Sequence, residues 1–146
     1  MQFFERLFLY NHKMNDQLIQ IFMEYKEQTS EKARTLMCHN LNAHHIWNFR
    51  IQEKDPLFEV WEAHKITDWP KINQENSDTS NWILQNYTPD KLVTYRNTKG
   101  LAYTNSVEDM LYHVINHSNY HRAQIATEFR NSEIEPLVSD FIFFAR

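Results

Sequence analysis

SVEDMLYHVINHSNYHRAQIATEFR, residues 106–130, decides how the rest of the chain is read. It opens as a helix opens. Ser106 is a strong N-cap, Asp109 stands at the capping-box position three residues on, and Glu108 and Asp109 put negative charge in the first turn, where the helix dipole favours it. No Pro or Gly interrupts the stretch, and Val107, Met110, Leu111, Val114, Ile115, Ile125 and Phe129 recur at helical spacing. Into this helix are set His113, His117 and His121, each four residues after the last. A helix turns about 100° per residue, so side chains four apart lie nearly above one another, about 6 Å along the axis. Two such imidazoles can grip one metal ion from the same side. Three in a row drift about 80° around the helix, which argues against the outer pair sharing an ion. The residues alone leave His113/His117 and His117/His121 both open. The plainer alternative, helix-surface or hydrogen-bonded core histidines, stands beside them.

Composition narrows the class. The chain's 146 residues fit one domain, 1–146, with a single core. One Gly and four Pro argue against an all-β fold, which needs many tight turns. A net charge of −4 offers neither the basic face that nucleic acid calls for nor the basic patch that an anionic membrane surface attracts. No segment approaches 18 apolar residues, so no span of a bilayer is expected. Cys38 is the only cysteine, which excludes an intrachain disulfide and suits a reducing compartment. Glu5, Arg6, Asn11 and His12 break every short apolar run near the start, unlike a signal peptide, and the expected location is cytoplasmic.

Working back from the histidine helix, Leu92–Arg96 and Leu101–Thr104 alternate around Asn97-Thr98-Lys99-Gly100 and read as a β-hairpin whose lone glycine takes a positive φ. Residues 2–27 read as a long amphipathic helix, in which the polar run Tyr10–Asp16 is either exposed or lines a site. Residues 31–52 read as a second helix capped by Ser30, and 76–87 as a shorter third, capped at Ser77, Asp78 or Thr79, with Trp82, Ile83 and Tyr87 inward. Between those two, residues 55–74 form a long connection pinned by Trp61 and Trp69, of the length that carries function or crosses between distant helices. Beyond the histidine helix, 134–146 is a tail ending in a short element from Ser139 that packs Phe141–Phe144. On the second helix, His39 shares the face of Leu36 and Trp47 and, if buried, requires a hydrogen bond or a metal. His44 and His45 point about 100° apart, so at most one of them joins it. Cys38 and Phe49 read as core and Trp47 as core or pocket wall. Arg122 reads as a structural partner of an acid or carbonyl, Tyr120 as packing, and Glu128 as a solvated surface acid. Phe3, Phe4, Phe8, Phe143 and Phe144, taken as exposed, lead to the expectation of a homodimer.

The pattern resembles the DinB family of metal-dependent proteins. NHSNYHRAQI at 116–125 is close to the family's NHxxYHRGQ signature, with Ala123 in place of its Gly. LMCHNLNAHHIWNFRI at 36–51 sets a His eight residues before a Trp, and VTYRNTKGLAYTNSVEDMLYH and the SDFIFFAR ending match as well. The resemblance covers nearly the whole chain. It implies an all-α four-helix bundle with a long crossover between helices 2 and 3 and a small β-hairpin before helix 4. It also implies one divalent metal held by His39, His117 and His121, so it selects the second of the two open pairs. Three neutral imidazoles leave coordination positions free, the form of a reactive rather than a closed structural site. Imidazole suits Zn, Ni or Fe. The activity that the resemblance implies is thiol-dependent transfer of a low-molecular-weight thiol to a small electrophile. A metal-dependent hydrolase and a non-catalytic, metal-binding stress-response protein are the alternatives.

Overall fold

A computed structural model describes residues 1–146. Four long helices carry the chain: α1 (Gln2–Glu24), α2 (Glu31–Ile51), α3 (Trp69–Asn86) and α4 (Val107–Asn131). Strands β1 (Leu92–Arg96) and β2 (Ala102–Ser106) pair antiparallel between α3 and α4, and a last short turn, α5 (Phe141–Phe144), closes the tail. No helix is long and apolar enough to cross a membrane.

The caps act as their residues dictate. Ser30 Oγ accepts from the Ala33 amide at 3.0 Å and Ser106 Oγ from the Asp109 amide at 3.1 Å, each satisfying one of the orphan donors of a first turn. Gly100 adopts φ +77° in the hairpin turn, and Asn97 Oδ1 accepts from the Lys99 and Leu101 amides across it. Strand β2 runs directly into α4, so the hairpin fixes where the histidine helix begins.

The third helix corrects the sequence reading. It starts at Trp69, not Asn76, so the connection is shorter, and Ser77, Asp78 and Thr79 lie within the helix rather than at its cap. Pro70 occupies the first turn, where its missing N–H costs nothing because that donor would have no helical partner. One 3-10 turn, Ile66–Asp68, leads into it. Trp82 stays 47% exposed although it was expected to face inward, while Ile83 is buried. The first helix is also shorter, ending at Glu24 before a turn over 25–29.

Helix α2 packs against α3 and α4, and α1 against α3 and α4. α2 and α4 run antiparallel, Asn40 meeting Ser118 and Trp47 meeting His113. The interior has three levels. At one end Leu18, Ile19, Phe22, Met37, Leu41, Ile125 and Phe129 form an apolar cluster, with Phe22 edge-on to Trp69 and Phe129 at centroid distances of 5.1 and 5.0 Å. At the other, Phe4, Phe8, Ile51, Ile83, Leu111 and Val114 form a second. Between the bulk of these two sets lie buried polar groups: Asn11 and Asn15 on α1, Asn40, His44 and Asn48 on α2, Asn73, Asn76 and Ser80 on α3, Ser118 and Arg122 on α4. Hydrogen bonds knit them across helices, as buried polar groups require: Asn15 to Asn73 at 3.2 Å, Ser80 to Asn48 at 3.0 Å, Asn48 to the Asn76 carbonyl at 2.9 Å, Ser118 to Asn40 at 2.9 Å. The run Tyr10–Asp16 is therefore largely interior: Tyr10, Asn11 and Asn15 are buried.

His44 belongs to this polar level. Its Nε2 lies 2.8 Å from Ser80 Oγ and its ring 5.6 Å from that of Phe8. Burial first, then the neighbouring positive charges of His45, His12 and Arg122 when these are protonated, pushes its pKa down to about 3. Because the folded pKa lies below the unfolded value near 6.5, the unfolded chain takes the proton first. Stability from this group is complete above pH 6.5 and falls as pH drops toward 3, at up to about 1.4 kcal/mol per pH unit. Denaturant midpoints of metal-free protein from pH 7 to pH 4 are expected to fall less steeply in His44→Gln than in wild type. Equal slopes would show that His44 does not carry this linkage.

Candidate metal centre

Helix α4 presents two adjacent columns of side chains. Ser118 and Arg122 point into the polar level. His117 and His121, one residue earlier in each case and so about 100° around, face α2. His39 comes to meet them from α2: His39 Nε2 and His121 Nε2 each lie 3.1 Å from His117 Nε2. The three candidate ligand atoms all fall within 4.8 Å of one another, with His39 and His121 buried and His117 half-buried. The plain reading of His39 is satisfied too, since its outer nitrogen is hydrogen-bonded; it has both a partner and a neighbouring cluster.

The tautomers follow from the outer nitrogens. His39 Nδ1 lies 3.1 Å from the Val60 carbonyl oxygen, which can only accept, so Nδ1 carries the proton. His121 Nδ1 lies 2.7 Å from Gln124 Oε1 and donates in the same way. Each ring, when neutral, therefore offers a lone pair at Nε2 toward His117 Nε2. His117 has at most one hydrogen there, so it can satisfy at most one of its two neighbours well. Three nitrogens converge with too few protons among them, and a cation at their centre resolves that conflict. The two approaches to His117 fit: with metal–nitrogen bonds of about 2.0–2.1 Å, a 3.1 Å separation corresponds to an angle of about 100° at the ion, between octahedral and tetrahedral values. Burial keeps all three rings below the usual imidazole pKa, His117 down to about 3 through burial and then the charges of His121, His39 and His113. The rings are thus neutral at pH 7, the form that ligates.

Trp61, on the connection between α2 and α3, stacks on His39 with centroids 4.0 Å apart and planes 14° from parallel. The connection therefore supplies both an acceptor (Val60) and a cover (Trp61) to one ligand. Neither was singled out as a site residue from the sequence, because loop residues carry no periodicity. Gln124 could have been found: it stands three residues after His121, within reach on a helix. His113 is exposed and lies further out on the same column, its ring 5.6 Å from that of His117 and 4.7 Å from Trp47. Of the two pairs left open by the residues alone, the structure joins His117/His121 to His39.

The other histidines and candidate residues lie elsewhere. Both His44 and His45 are buried away from the cluster, His45 Nε2 accepting from the Leu57 amide at 3.0 Å. Tyr10 and Asn11 surround Arg122 instead of the three histidines. Tyr120, expected to pack inside, is 62% exposed. Cys38 is buried, held by the His64 amide and carbonyl. Glu128 is paired with Lys32 at 2.8 Å and Ser30 Oγ at 3.1 Å, and no carboxylate is hydrogen-bonded to the three rings.

Gln124 makes a direct test of the tautomer argument. Gln124→Leu removes the acceptor that fixes His121, and divalent-metal affinity is expected to fall about 10–100-fold. Competition against a chromophoric chelator measures it; unchanged affinity would detach Gln124 from the site.

A family model described as the DinB family matches residues 8–145, nearly the whole chain. A comparison of the chain with curated proteins finds no match.

Proposed function

The chain belongs to the DinB family, and from that premise we propose that it is a metal-dependent enzyme in which His39, His117 and His121 hold one divalent ion, Zn, Ni or Fe, and which transfers a low-molecular-weight thiol to a small electrophile. The observation that carries the metal part is the meeting of three neutral imidazole nitrogens, two with their outer nitrogens already tied to acceptors. When bound, such an ion supplies Lewis acidity and free coordination positions, and it lowers the pKa of a thiol ligand. The protein's own residues do the rest. Val60 and Gln124 orient the rings, Trp61 shields His39 from water, and the half-buried edge of His117 beside exposed His113 leaves an approach open. Transfer rather than hydrolysis is favoured by the acid–base inventory: Glu128, the nearest candidate base in sequence, is committed to Lys32 and Ser30.

We further propose that 1–146 forms one domain whose four long helices make a four-helix bundle, with 52–68 as the crossover between its second and third helices, acting in the cytoplasm. A homodimer also belongs to this proposal, on a narrower base than the sequence offered. Phe4 and Phe8 are in the core and Phe144 is half-buried, leaving Phe3 and Phe143, beside Ile142, on the surface. Light scattering at micromolar concentration is expected to give twice the chain mass; a monomer mass would remove that part of the proposal.

The activity is tested by mixing protein, metal, a low-molecular-weight thiol such as cysteine and a small electrophile. Thiol-dependent consumption that disappears in His117→Ala is the expected result. Turnover without thiol would make the protein a hydrolase, and metal binding with neither reaction would make it a non-catalytic metal-binding module.

A further inference from the structure

Arg50 stands in the last turn of α2, about three turns beyond His39 and so back on nearly the same face. Its guanidinium carbon lies 4.7 Å from the centre of the Trp47 ring and 5.1 Å from that of Tyr95. Aromatic contacts of this kind hold the group by its faces and leave its N–H edges free. Those edges are unused. Arg34, Arg96 and Arg122 all donate to protein oxygens, but half-buried Arg50 donates to none, and no carboxylate lies within 4.0 Å of it.

Two cavities meet at this residue. One, of about 350 Å³, runs beside the hairpin past Lys54, Asp55 and Arg96. The other, of about 380 Å³, lies between α2 and the connection that follows it and is walled by Ile46, Pro56, Phe58, Glu59 and Trp61. That second wall is shared with the metal centre, because Trp61 stacks on His39 and the adjacent Val60 carbonyl accepts the hydrogen bond from His39 Nδ1. The cavity is thus an apolar slot with the histidine cluster behind Trp61 at one side and an unpaired, planar cation at the other.

We propose that this slot binds a small organic monocarboxylate, its carboxylate on the free edge of Arg50 and its apolar body against Ile46, Phe58 and Trp61. This binding does not rest on the function proposed above. An arginine edge matches a carboxylate bidentately. The volume lies at the lower end of small-molecule sites, and an apolar wall with a few placed polar groups is typical of them. Glu59 lines the slot together with Arg50, so the slot's charged side chains sum to zero, which disfavours a multiply charged anion relative to a single carboxylate.

The probe is 3-phenylpropionate, with 3-phenylpropanamide as its neutral counterpart, titrated calorimetrically into zinc-loaded and metal-stripped protein. Wild type is expected to prefer the acid by at least about tenfold in both metal states, and Arg50→Gln to lose that preference. Arg50→Lys, which keeps the charge but not the fork, should retain only part of it. Trp61→Ala should weaken acid and amide alike. A preference that survives in Arg50→Gln, a preference that exists only with zinc present, or no binding of the acid to wild type at millimolar concentration would each overturn the proposal. Equal thermal midpoints of wild type and Arg50→Gln guard against misfolding. The metal-stripped arm keeps the two readings apart: a chain that takes up no zinc yet still selects the acid through Arg50 would refute the metal reading alone.

Discussion

His117→Ala is expected to abolish tight binding of a divalent ion while leaving the chain folded. His117 is the hub of the cluster, since both 3.1 Å nitrogen–nitrogen approaches end on it. Without it, His39 and His121 remain as two ligands on different helices, and no other His, Cys, Asp or Glu joins their group. The loss should exceed the 10–100-fold that removal of an outer partner costs, and so exceed that of Gln124→Leu. Folding should survive because His117 is half-buried and its removal relieves a crowded set of nitrogens. Chelator competition together with a thermal midpoint reads both quantities. Wild-type affinity in His117→Ala would show that the ion sits elsewhere.

The largest effect on stability is expected at Arg122. Its Nη1 donates to Asn11 Oδ1 at 2.6 Å and Asn15 Oδ1 at 2.9 Å, and its Nη2 to Asn119 Oδ1 at 2.5 Å. The Tyr10 ring lies 5.3 Å from its guanidinium carbon, and no carboxylate balances the charge. Two effects compete when it is replaced by Met. Removing a buried, unbalanced charge relieves its desolvation cost, lowered pKa included. Against that, three amide oxygens, two of them on buried side chains, lose their donor, each at about 1–3 kcal/mol. The second effect should win, giving a loss on the order of 4 kcal/mol, a large part of the 5–15 kcal/mol typical of a domain. Arg122→Lys should fall between, because a point donor cannot span α1 and α4 as the fork does. Urea unfolding of the three proteins decides it; Arg122→Met as stable as wild type would mean that the asparagines re-pair among themselves.

Much of this was legible in the sequence, for reasons that differ by element. Helix α4 carried its own cap, its apolar stripe and its histidine spacing, all local signals. Gly100 marked the hairpin turn, and the place of His39 on its helix foretold that it needed a partner. The start of α3 was misread because Pro70 suggests a break when taken alone, whereas in a first turn it is compatible with helix. The polar level was not foreseen. Asn11, Asn15, Asn73 and Asn76 look like surface residues one at a time, and only the meeting of four helices shows them paired with one another and with Arg122. Phe4 and Phe8 look like surface residues in the sequence for the converse reason: a helix face does not announce which neighbour covers it. Trp61 and Val60 reach His39 through tertiary contact from a segment without periodicity, so no spacing rule could place them.

The most direct test of the central claim is elemental analysis of the protein as purified, beside the triple variant His39→Ala, His117→Ala, His121→Ala, after gel filtration in the same buffer. The account predicts one divalent transition-metal ion per chain in wild type and none in the variant. A wild-type protein that neither carries nor takes up such an ion, or a variant that holds as much as wild type, would contradict it.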